Sequence, residues 1–241
     1  MDPPDGKALV LLSGGLDSAT CLYWAKKRFG NVYAITFDYH GRLQKEKASA
    51  ELLSRAAGVD NLLSISLPFL KEASAAGSDP LYKHHVSQSG DSRWDSYIPA
   101  RNMLFYSIAA YHAEYLGIDA IIGGHNAHDA SFFRDSTPDY IRKMNSLLAE
   151  SCLMCRDKPY KIMLPLAEMD RKMIIRLAAE LGVPLHFTWS CHNDGELPCG
   201  LCYACIQRTE AFEALGIEDP LHKARSRANY ASEPSQFRNA A

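Results

Sequence analysis

A short apolar run leads into a polar turn with two adjacent glycines in the segment Ala8-Leu9-Val10-Leu11-Leu12-Ser13-Gly14-Gly15-Leu16-Asp17-Ser18. The apolar run predicts a buried strand, and residues 18–29 after the turn have the apolar spacing of a helix. Gly14 and Gly15 can adopt positive φ, which lets backbone N–H groups approach an anion closely. Because the helix also points its positive end at the turn, the segment predicts a phosphate-binding site.

Three polar side chains of the turn indicate how such a site would work. Ser13 and Ser18 add hydroxyl donors for a phosphate group, whereas the Asp17 carboxylate repels one. Asp17 is therefore interpreted as a magnesium ligand or as a cap that holds the turn. The alternative for the whole segment is an ordinary strand–helix turn that happens to contain two glycines.

Alternation of strand and helix continues along the chain. Strands are predicted at residues 8–12, 31–37, 62–67, 119–123 and 160–164, and helices at 18–29, 45–57, 101–116, 138–150 and 170–181. Asp170 is expected to cap the last helix, and helix ends are expected at Gly30, Gly58, Gly117 and Gly182. This order predicts the α/β class, with a doubly wound, Rossmann-like parallel sheet.

Four of the seven cysteines lie close together near the C-terminal end, at Cys191, Cys199, Cys202 and Cys205. Four thiolates suit a closed tetrahedral zinc site, so we interpret this region as a small helical and loop-containing lobe folded by structural Zn²⁺. An iron–sulfur cluster and four unligated thiols remain the alternatives. Cys152 and Cys155 form a second Cys-x2-Cys pair, which we interpret as incidental thiols.

The predicted organisation is a nucleotide domain at residues 1–186, the zinc lobe at 187–220 and a polar tail at 221–241. Residues 71–97 lack periodicity and predict a long loop over the site. The 241 residues are 47% hydrophobic and 22% charged, with a formal net charge of −2. Nothing in this composition demands a nucleic-acid or membrane partner, and no signal peptide is recognised, so a cytoplasmic protein is expected.

The segment from Ser13 to Ser18 resembles the PP-loop of the adenine nucleotide alpha-hydrolase superfamily. It matches neither the Walker lysine loop nor the dinucleotide-binding glycine pattern. The resemblance implies that ATP, with Mg²⁺, is split to AMP and pyrophosphate in order to activate a substrate. The implied ATP site consists of Leu12, Ser13, Gly14, Gly15, Leu16, Asp17, Ser18, Thr36, Phe37, Tyr39 and Gly124.

Further segments in the same order resemble the QueC family of 7-cyano-7-deazaguanine synthases. They are Thr36-Phe37-Asp38-Tyr39, Ile98-Pro99-Ala100-Arg101-Asn102, Gly182-Val183-Pro184, Thr188-Trp189-Ser190-Cys191 and Pro198-Cys199-Gly200 with the following cysteines. The resemblance implies a ligase, expected as a homodimer, that adenylates 7-carboxy-7-deazaguanine and adds ammonia to give the amide. Adenylation of the amide and loss of AMP would then give the nitrile.

Site roles follow from this resemblance and from charge. Ser13, Asp17, Arg101 and Lys172 are the candidate catalytic residues, with solvent-exposed helix charges as the alternative for Arg101 and Lys172. Four further polar side chains could bind the deazaguanine, although loop or capping roles remain open for them. These are Asn102, Asn126, Asp129 and Asp135.

Residues 124–140 depart from the family pattern, which makes the product the open question. Asn126, Asp129, Asp135 and Pro138 match, but the family's Gly-Tyr-Pro stretch and Cys-Arg pair are absent. The alternative is a QueC-like antiviral-defence enzyme that stops at the amide and joins a deazaguanine to a protein. Transfer RNA thiolation and ATP sensing without turnover are further alternatives, and nucleic acid is an unlikely partner. His125 and His128 are acid–base candidates or, as we prefer, ordinary surface histidines.

Overall fold

The computed structural model describes residues 5–59, 61–72, 97–153 and 159–221. Its strands are Lys7–Leu11 (β1), Asn31–Tyr39 (β2), Leu62–Leu67 (β3), Ala120–Ile122 (β4) and Lys161–Met163 (β5). They form one sheet in the order β3-β2-β1-β4-β5, and every neighbouring pair is parallel. The prediction of an α/β fold with a parallel sheet is therefore confirmed.

Helices connect these strands and cover the sheet. They are Leu16–Lys26 (α1), Gln44–Ala56 (α2), Arg101–Leu116 (α3), Ala127–Phe132 (α4), Pro138–Ser151 (α5), Arg171–Glu180 (α6) and Tyr203–Ala214 (α7). Asp170 caps α6 by accepting a hydrogen bond from the N–H of Met173 over 2.8 Å, as predicted. The prediction that Gly30 ends α1 is wrong, because α1 stops at Lys26 and Gly30 donates to the Gly6 carbonyl at the entry of β2.

α4 and α7 have no counterpart among the predicted helices. The buried positions of α7 are Cys205, Arg208, Ala211 and Phe212, which repeat with helical spacing. A cysteine and an arginine occupy two of these positions, so the apolar pattern that normally reveals a helix is broken. The guanidinium of Arg208 pairs with the Asp219 carboxylate at 2.7 Å, which satisfies its charge inside the lobe.

The core consists of two apolar layers, one on each face of the sheet. Side chains alternate along β1, so that Val10 belongs to one layer and Leu9 to the other. α1, α2, α6 and α7 contribute to the first layer, and α3 and α5 to the second. This arrangement confirms the doubly wound architecture and explains why the predicted strand at residues 8–12, in the centre of the sheet, is apolar throughout.

The strand order reverses at β1, since β2 lies on one side of it and β4 on the other. In an open parallel sheet the carboxyl ends of such strands bound a crevice that binds ligands. The loop after β1 carries the serine–glycine turn, and the loop after β4 carries Gly123 to Asn126. The topology thus brings two predicted site segments to one crevice.

The outer edge of β5 is closed by a side chain. Lys161 donates to the Asp119 carbonyl at 3.2 Å and Met163 accepts from Gly123 at 3.0 Å, so both face β4. Ile162 between them points its backbone polar groups outward. Asn145 of α5 takes up both groups, accepting from the Ile162 N–H at 2.7 Å and donating to its carbonyl at 3.0 Å.

Some predictions fall outside the described residues, namely most of the predicted loop at 71–97, nearly all of the tail at 221–241, and Cys155. The predicted boundary between residues 186 and 187 stays a prediction. None of the helices in the described ranges combines the length and apolar character needed to cross a bilayer.

Candidate functional site

The serine–glycine turn after β1 is closed by its own hydroxyl groups. Ser13 and Ser18 place their Oγ atoms 3.0 Å apart, and the Ser18 Oγ accepts from the Ser13 N–H at 3.2 Å. The same hydroxyl donates to the Gly15 carbonyl at 3.1 Å, and the Ser13 Oγ accepts from the Gly15 N–H at 3.3 Å. Both predicted serines therefore shape the turn from which they could also reach a phosphate.

Gly14 is the residue of the turn at which a side chain would meet both an unfavourable backbone conformation and the backbone of α2. Its φ is +101°, and a Cβ atom there would lie 2.3 Å from the Glu46 carbonyl oxygen and 3.0 Å from the Ala50 nitrogen. Its own carbonyl accepts from the Trp189 N–H at 2.9 Å. The glycine is needed both for the left-handed backbone and for the close approach of α2.

Arg42 fixes the ends of β1 and β2, a role that the sequence analysis did not assign. Its guanidinium donates to the Ser13 carbonyl at 3.0 Å and also to the Phe37 carbonyl. Glu46 lies 3.9 Å from its Nε, and only 3% of the arginine side chain is exposed. A buried guanidinium with several acceptors in fixed directions holds the two strand ends in register.

Asp17 lies at the centre of a charged cluster that bridges the crevice. Its two carboxylate oxygens accept from Arg171 Nη1 at 2.7 and 2.8 Å, and Oδ2 also accepts from Asn126 Nδ2 at 3.0 Å. Burial raises the pKa of Asp17, Arg171 acts against this rise, and the nearby charge of Asp129 adds to it. The Asp17 carboxylate thus lies beside the turn, where it is already paired with the Arg171 guanidinium.

Lys172, the predicted catalytic lysine, is exposed on α6. Its neighbour Arg171 is the residue that reaches the turn. Successive residues of a helix point about 100° apart, so only one of these two cations can face Asp17. Sequence position alone did not reveal which of them it is.

Two of the predicted substrate residues form the start of α4. The Asn126 Oδ1 accepts from the N–H groups of His128 at 2.8 Å and Asp129 at 3.1 Å, and Asp129 Oδ2 accepts from the Asn126 N–H at 3.2 Å. This is a capping box, the alternative that the sequence analysis left open. Burial raises the pKa of Asp129, and the bond from Asn126 opposes that rise.

The other predicted substrate residues lie at the start of α3 and opposite it. Asn102 is 8% exposed and donates to the Ser136 hydroxyl at 3.2 Å, in the short helical turn that also carries Asp135. Ala100, immediately before α3, has a φ of +55°, the only positive value at a non-glycine among the described residues. Such local strain is concentrated at functional sites in proteins.

Arg101 follows this strained residue and acts on groups from several elements. Burial raises the pKa of Tyr39 and of Glu46, and the Arg101 charge opposes both rises. Burial and Arg101 together lower the pKa of His125 to about 4. The guanidinium is therefore close to β2, α2 and the loop after β4 at once. His128, by contrast, is exposed and contacts the Tyr203 hydroxyl at 3.1 Å.

Three buried polar atoms at this end of the sheet have no hydrogen-bond partner among the described residues. They are Thr36 Oγ1, Tyr106 OH and Trp189 Nε1. Thr36 lies in the carboxyl half of β2, and the Tyr106 hydroxyl lies where a Cβ of Gly123 would be, at 1.9 Å from that position. Orphaned donors and acceptors of this kind fit a polar ligand in the crevice.

The remaining residues of the predicted ATP site take different places. Phe37 stacks on Phe105 with ring centroids 4.0 Å apart, and its side chain belongs to the second core layer. Leu12 and Leu16 are also core residues and could serve a nucleotide only through their backbone. Gly124 packs against α1, since a Cβ there would lie 3.2 Å from the Ser18 nitrogen.

The four predicted metal ligands converge in the C-terminal lobe. Cys191, Cys199, Cys202 and Cys205 place their sulfur atoms within 4.8 Å of one another. Zinc–sulfur bonds of about 2.3 Å in a tetrahedron set the sulfurs roughly 3.8 Å apart, so the cluster fits that ion. The N–H groups of Leu201 and Cys202 point at the Cys199 sulfur at 3.4 and 3.3 Å, which favours the thiolate that a metal needs.

Comparison with known proteins agrees with this geometry. The family model described as queuosine biosynthesis protein QueC matches residues 7–216. Proteins named 7-cyano-7-deazaguanine synthase are 38% identical in Trichormus variabilis, covering 89% of this chain and 97% of the relative, and 36% identical in Thermoplasma volcanium, covering 89% and 90%. A third, from Methanothrix thermoacetophila, is 34% identical and covers 89% and 97%. From the serine–glycine turn to the four-cysteine lobe, the chain belongs to the QueC family.

Proposed function

We propose that this chain is an ATP-dependent carbon–nitrogen ligase that converts 7-carboxy-7-deazaguanine and ammonia into 7-cyano-7-deazaguanine. The serine–glycine turn at the crevice between β1 and β4 carries the proposal, in a chain whose relatives bear the name of that synthase. The products would be AMP and pyrophosphate for each ATP used.

The chemistry has two stages of the same kind. In the first, a carboxylate oxygen attacks the α-phosphorus of ATP, pyrophosphate leaves, and ammonia then displaces AMP to give the amide. In the second, the amide oxygen attacks another ATP, and loss of AMP and a proton leaves the nitrile. Each stage turns a poor oxygen leaving group into a phosphate, so the protein has mainly to position reactants and balance charge.

The turn would bind the phosphates of ATP. Its backbone N–H groups and the hydroxyls of Ser13 and Ser18 supply donors beside the N-terminus of α1. Thr36, whose hydroxyl lacks a partner among the described residues, could bind the nucleoside at the end of β2. Asp17 and Asp129 are the oxygen ligands that would hold Mg²⁺, which supplies charge neutralisation to the phosphates.

Two arginines frame this site from opposite sides. Arg171 contacts Asp17 from α6, and Arg101 acts on His125 and Glu46 from the start of α3. Both could stabilise the negative charge that builds up as pyrophosphate leaves. This assignment adds Arg171 to the predicted catalytic set and leaves Lys172 as a prediction without a described contact to the turn.

The acceptor would lie between α3 and the segment 124–140. Asn102 and Asp135 provide a neutral amide and a carboxylate of the kind that bind the donors and acceptors of a guanine-like edge. The same segment exposes Phe132 (63%) and Phe133 (39%). An open apolar edge beside the acceptor site favours, as the second candidate, an enzyme that stops at the amide and joins the deazaguanine to a protein.

One incubation distinguishes these outcomes. The protein is mixed with ATP, Mg²⁺, ammonium and 7-carboxy-7-deazaguanine, and the products are identified by mass spectrometry. Nitrile together with AMP supports the synthase, and accumulation of the amide supports the second candidate. Absence of AMP under all these conditions would defeat both.

A further inference from the structure

We propose that the four-cysteine lobe forms part of the nucleotide site, because Trp189 and Asp194 position the serine–glycine turn. The inference rests on the proposed ATP binding and goes beyond a purely structural role for the metal. Three contacts carry it, each between the lobe and a different part of the crevice.

The first contact joins the lobe directly to the turn. Trp189 lies two residues before the ligand Cys191, and its N–H donates to the Gly14 carbonyl at 2.9 Å. The Trp189 carbonyl also lies 3.7 Å from the position that a Cβ of Gly15 would occupy. The direction of the Gly14 peptide therefore depends on where the lobe holds Trp189.

The second contact comes from the loop between the ligands Cys191 and Cys199. The Asp194 carboxylate accepts from the N–H groups of Gln44 and Lys45, each at 2.7 Å. These are the first two residues of α2, whose N-cap residue is Leu43 and has no oxygen in its side chain. The lobe thus supplies, from 149 to 150 residues away in the sequence, the cap that α2 lacks.

The cap on α2 affects the serine–glycine turn because the N-terminal part of α2 packs against Gly14. The backbone at Glu46 and Ala50 lies within 2.3 and 3.0 Å of a Cβ position on Gly14. Leu43 packs on the cluster of Trp189 and the cysteines. Gly14 is consequently held between α2 and the lobe, and both of these supports depend on the segment that carries the cysteines.

The third contact reaches the opposite wall of the crevice. Tyr203, next to the ligand Cys202, places its hydroxyl 3.1 Å from the His128 ring on α4. The lobe therefore touches the turn, α2 and α4 together. Ordering of the lobe by its metal would set the distance between the ATP side and the acceptor side of the site.

The test uses two variants of one residue and a matched control from the same loop. Asp194→Ala removes the cap, Asp194→Asn keeps an oxygen that can accept from the helix, and Glu196→Ala removes another exposed carboxylate of the loop. Each full-length protein is titrated with the α,β-methylene analogue of ATP by calorimetry, after its zinc content has been measured. Hydrogen exchange reports on the amides of residues 13–18.

Asp194→Ala should bind the analogue roughly five- to tenfold more weakly. The free energy of a typical helix cap corresponds to a change of about this size in an equilibrium constant. Zinc content should stay at one ion, and exchange at residues 13–18 should become faster. Asp194→Asn and Glu196→Ala should resemble the wild type. In turnover, Asp194→Ala should raise the KM for ATP while the KM for the deazaguanine stays unchanged, a split that general destabilisation would not produce.

Unchanged analogue affinity in zinc-loaded Asp194→Ala, or an equal loss in Asp194→Asn, would overturn the inference. Failure of the wild type to bind the analogue would instead remove the proposed function on which it rests. As a second measurement, removal of zinc from the wild type should weaken analogue binding. Most of the helical circular dichroism signal of the protein should be kept, because most of its helices lie outside the lobe. Full analogue affinity without zinc would also contradict the inference.

Discussion

Asn126 donates its Nδ2 hydrogen to Asp17 Oδ2 over 3.0 Å and thereby joins the loop after β4 to the helix after β1. β1 and β4 are neighbours in the sheet, and the strand order reverses at β1. The same carboxylate accepts from Arg171, so the proposed nucleotide side and the proposed acceptor side of the crevice share one charged group. Changes at Asp17 should therefore affect both.

Asp17→Asn should lower AMP formation by about 100-fold or more, because a neutral amide forms no ion pair with Arg171 and is a weaker Mg²⁺ ligand than a carboxylate. The variant should stay folded, since burial already disfavours the charged form of Asp17 and raises its pKa. Release of AMP from labelled ATP measures the effect. Asp139→Asn, at an exposed carboxylate of α5, is the control and should keep full activity.

Arg171→Gln should move the acid limb of the pH profile to higher pH. Arg171 lowers the pKa of Asp17 against the effect of burial, so its removal lets that pKa rise and the carboxylate is lost at a higher pH. The profile of kcat/KM against pH measures this. If Lys172→Gln gives the larger effect and Arg171→Gln a small one, the sequence prediction for Lys172 is right and our choice of Arg171 is wrong.

Gly14→Ala and Gly182→Ala should separate backbone strain from close contact. Both glycines have positive φ, at +101° and +71°, but a Cβ meets the α2 backbone at Gly14 and nothing within 4 Å at Gly182. We expect Gly182→Ala to lower the free energy of unfolding by roughly 1–2 kcal/mol. Gly14→Ala should lower it by more than about 3 kcal/mol. Urea titrations test the difference, and equal losses would contradict it.

His125 should make folding stability depend on pH between about 4 and 6.5. Burial and the Arg101 charge lower its pKa to about 4 from an ordinary 6.5, while Asp135 and Asp17 act in the opposite direction. In the unfolded chain the His125 imidazole therefore becomes protonated below about pH 6.5, whereas in the folded chain it becomes protonated only near pH 4. The stability is present above pH 6.5 and falls as the pH is lowered through this window.

The loss should reach at most about 3.5 kcal/mol, from about 1.4 kcal/mol for each pKa unit. His125→Gln should remove this part of the pH dependence. Free energies of unfolding at pH 7, 5.5 and 4.5 give the comparison. Parallel curves for the wild type and the variant would rule out a lowered pKa of His125.

Cys205→Ser should lose the metal and disorder the lobe. The Cys205 side chain is 4% exposed, and its thiol is one of four sulfurs within 4.8 Å of one another. Metal analysis should find zinc in the wild type and little in the variant, and limited proteolysis should cleave near residues 187–221. A brown wild-type protein with absorption near 400 nm, typical of iron–sulfur clusters, would refute zinc.

Much of the fold could be predicted because local patterns and tertiary packing agree. The strand at Leu62–Leu67 and the helix at Arg101–Leu116 have the predicted bounds, since apolar runs and a following glycine mark them clearly. The lobe was expected to be partly helical, but the bounds of α7 were not predicted because Cys205 and Arg208 occupy its buried face. Their burial depends on thiol and ion-pair contacts that no single-chain periodicity reveals.

The site was predictable at the turn and less so around it. The residues from Ser13 to Ser18 are contiguous in the sequence and can be recognised as one motif. Arg42, Arg171 and Asp194 reach the site from distant segments. Choosing Arg171 over Lys172 requires the rotation of α6 about its axis. That rotation is set by packing of Ile174 and Ile175 in the first core layer.

The amide of Asn145 has a consequence for how copies of this protein meet one another. It occupies both outward backbone groups of Ile162, the central residue of a three-residue edge strand. A further strand from any molecule would have to displace that amide before forming its first ladder bond. Growth of the sheet at the β5 edge is therefore opposed by a single side chain, which would have to move before another molecule could add a strand there.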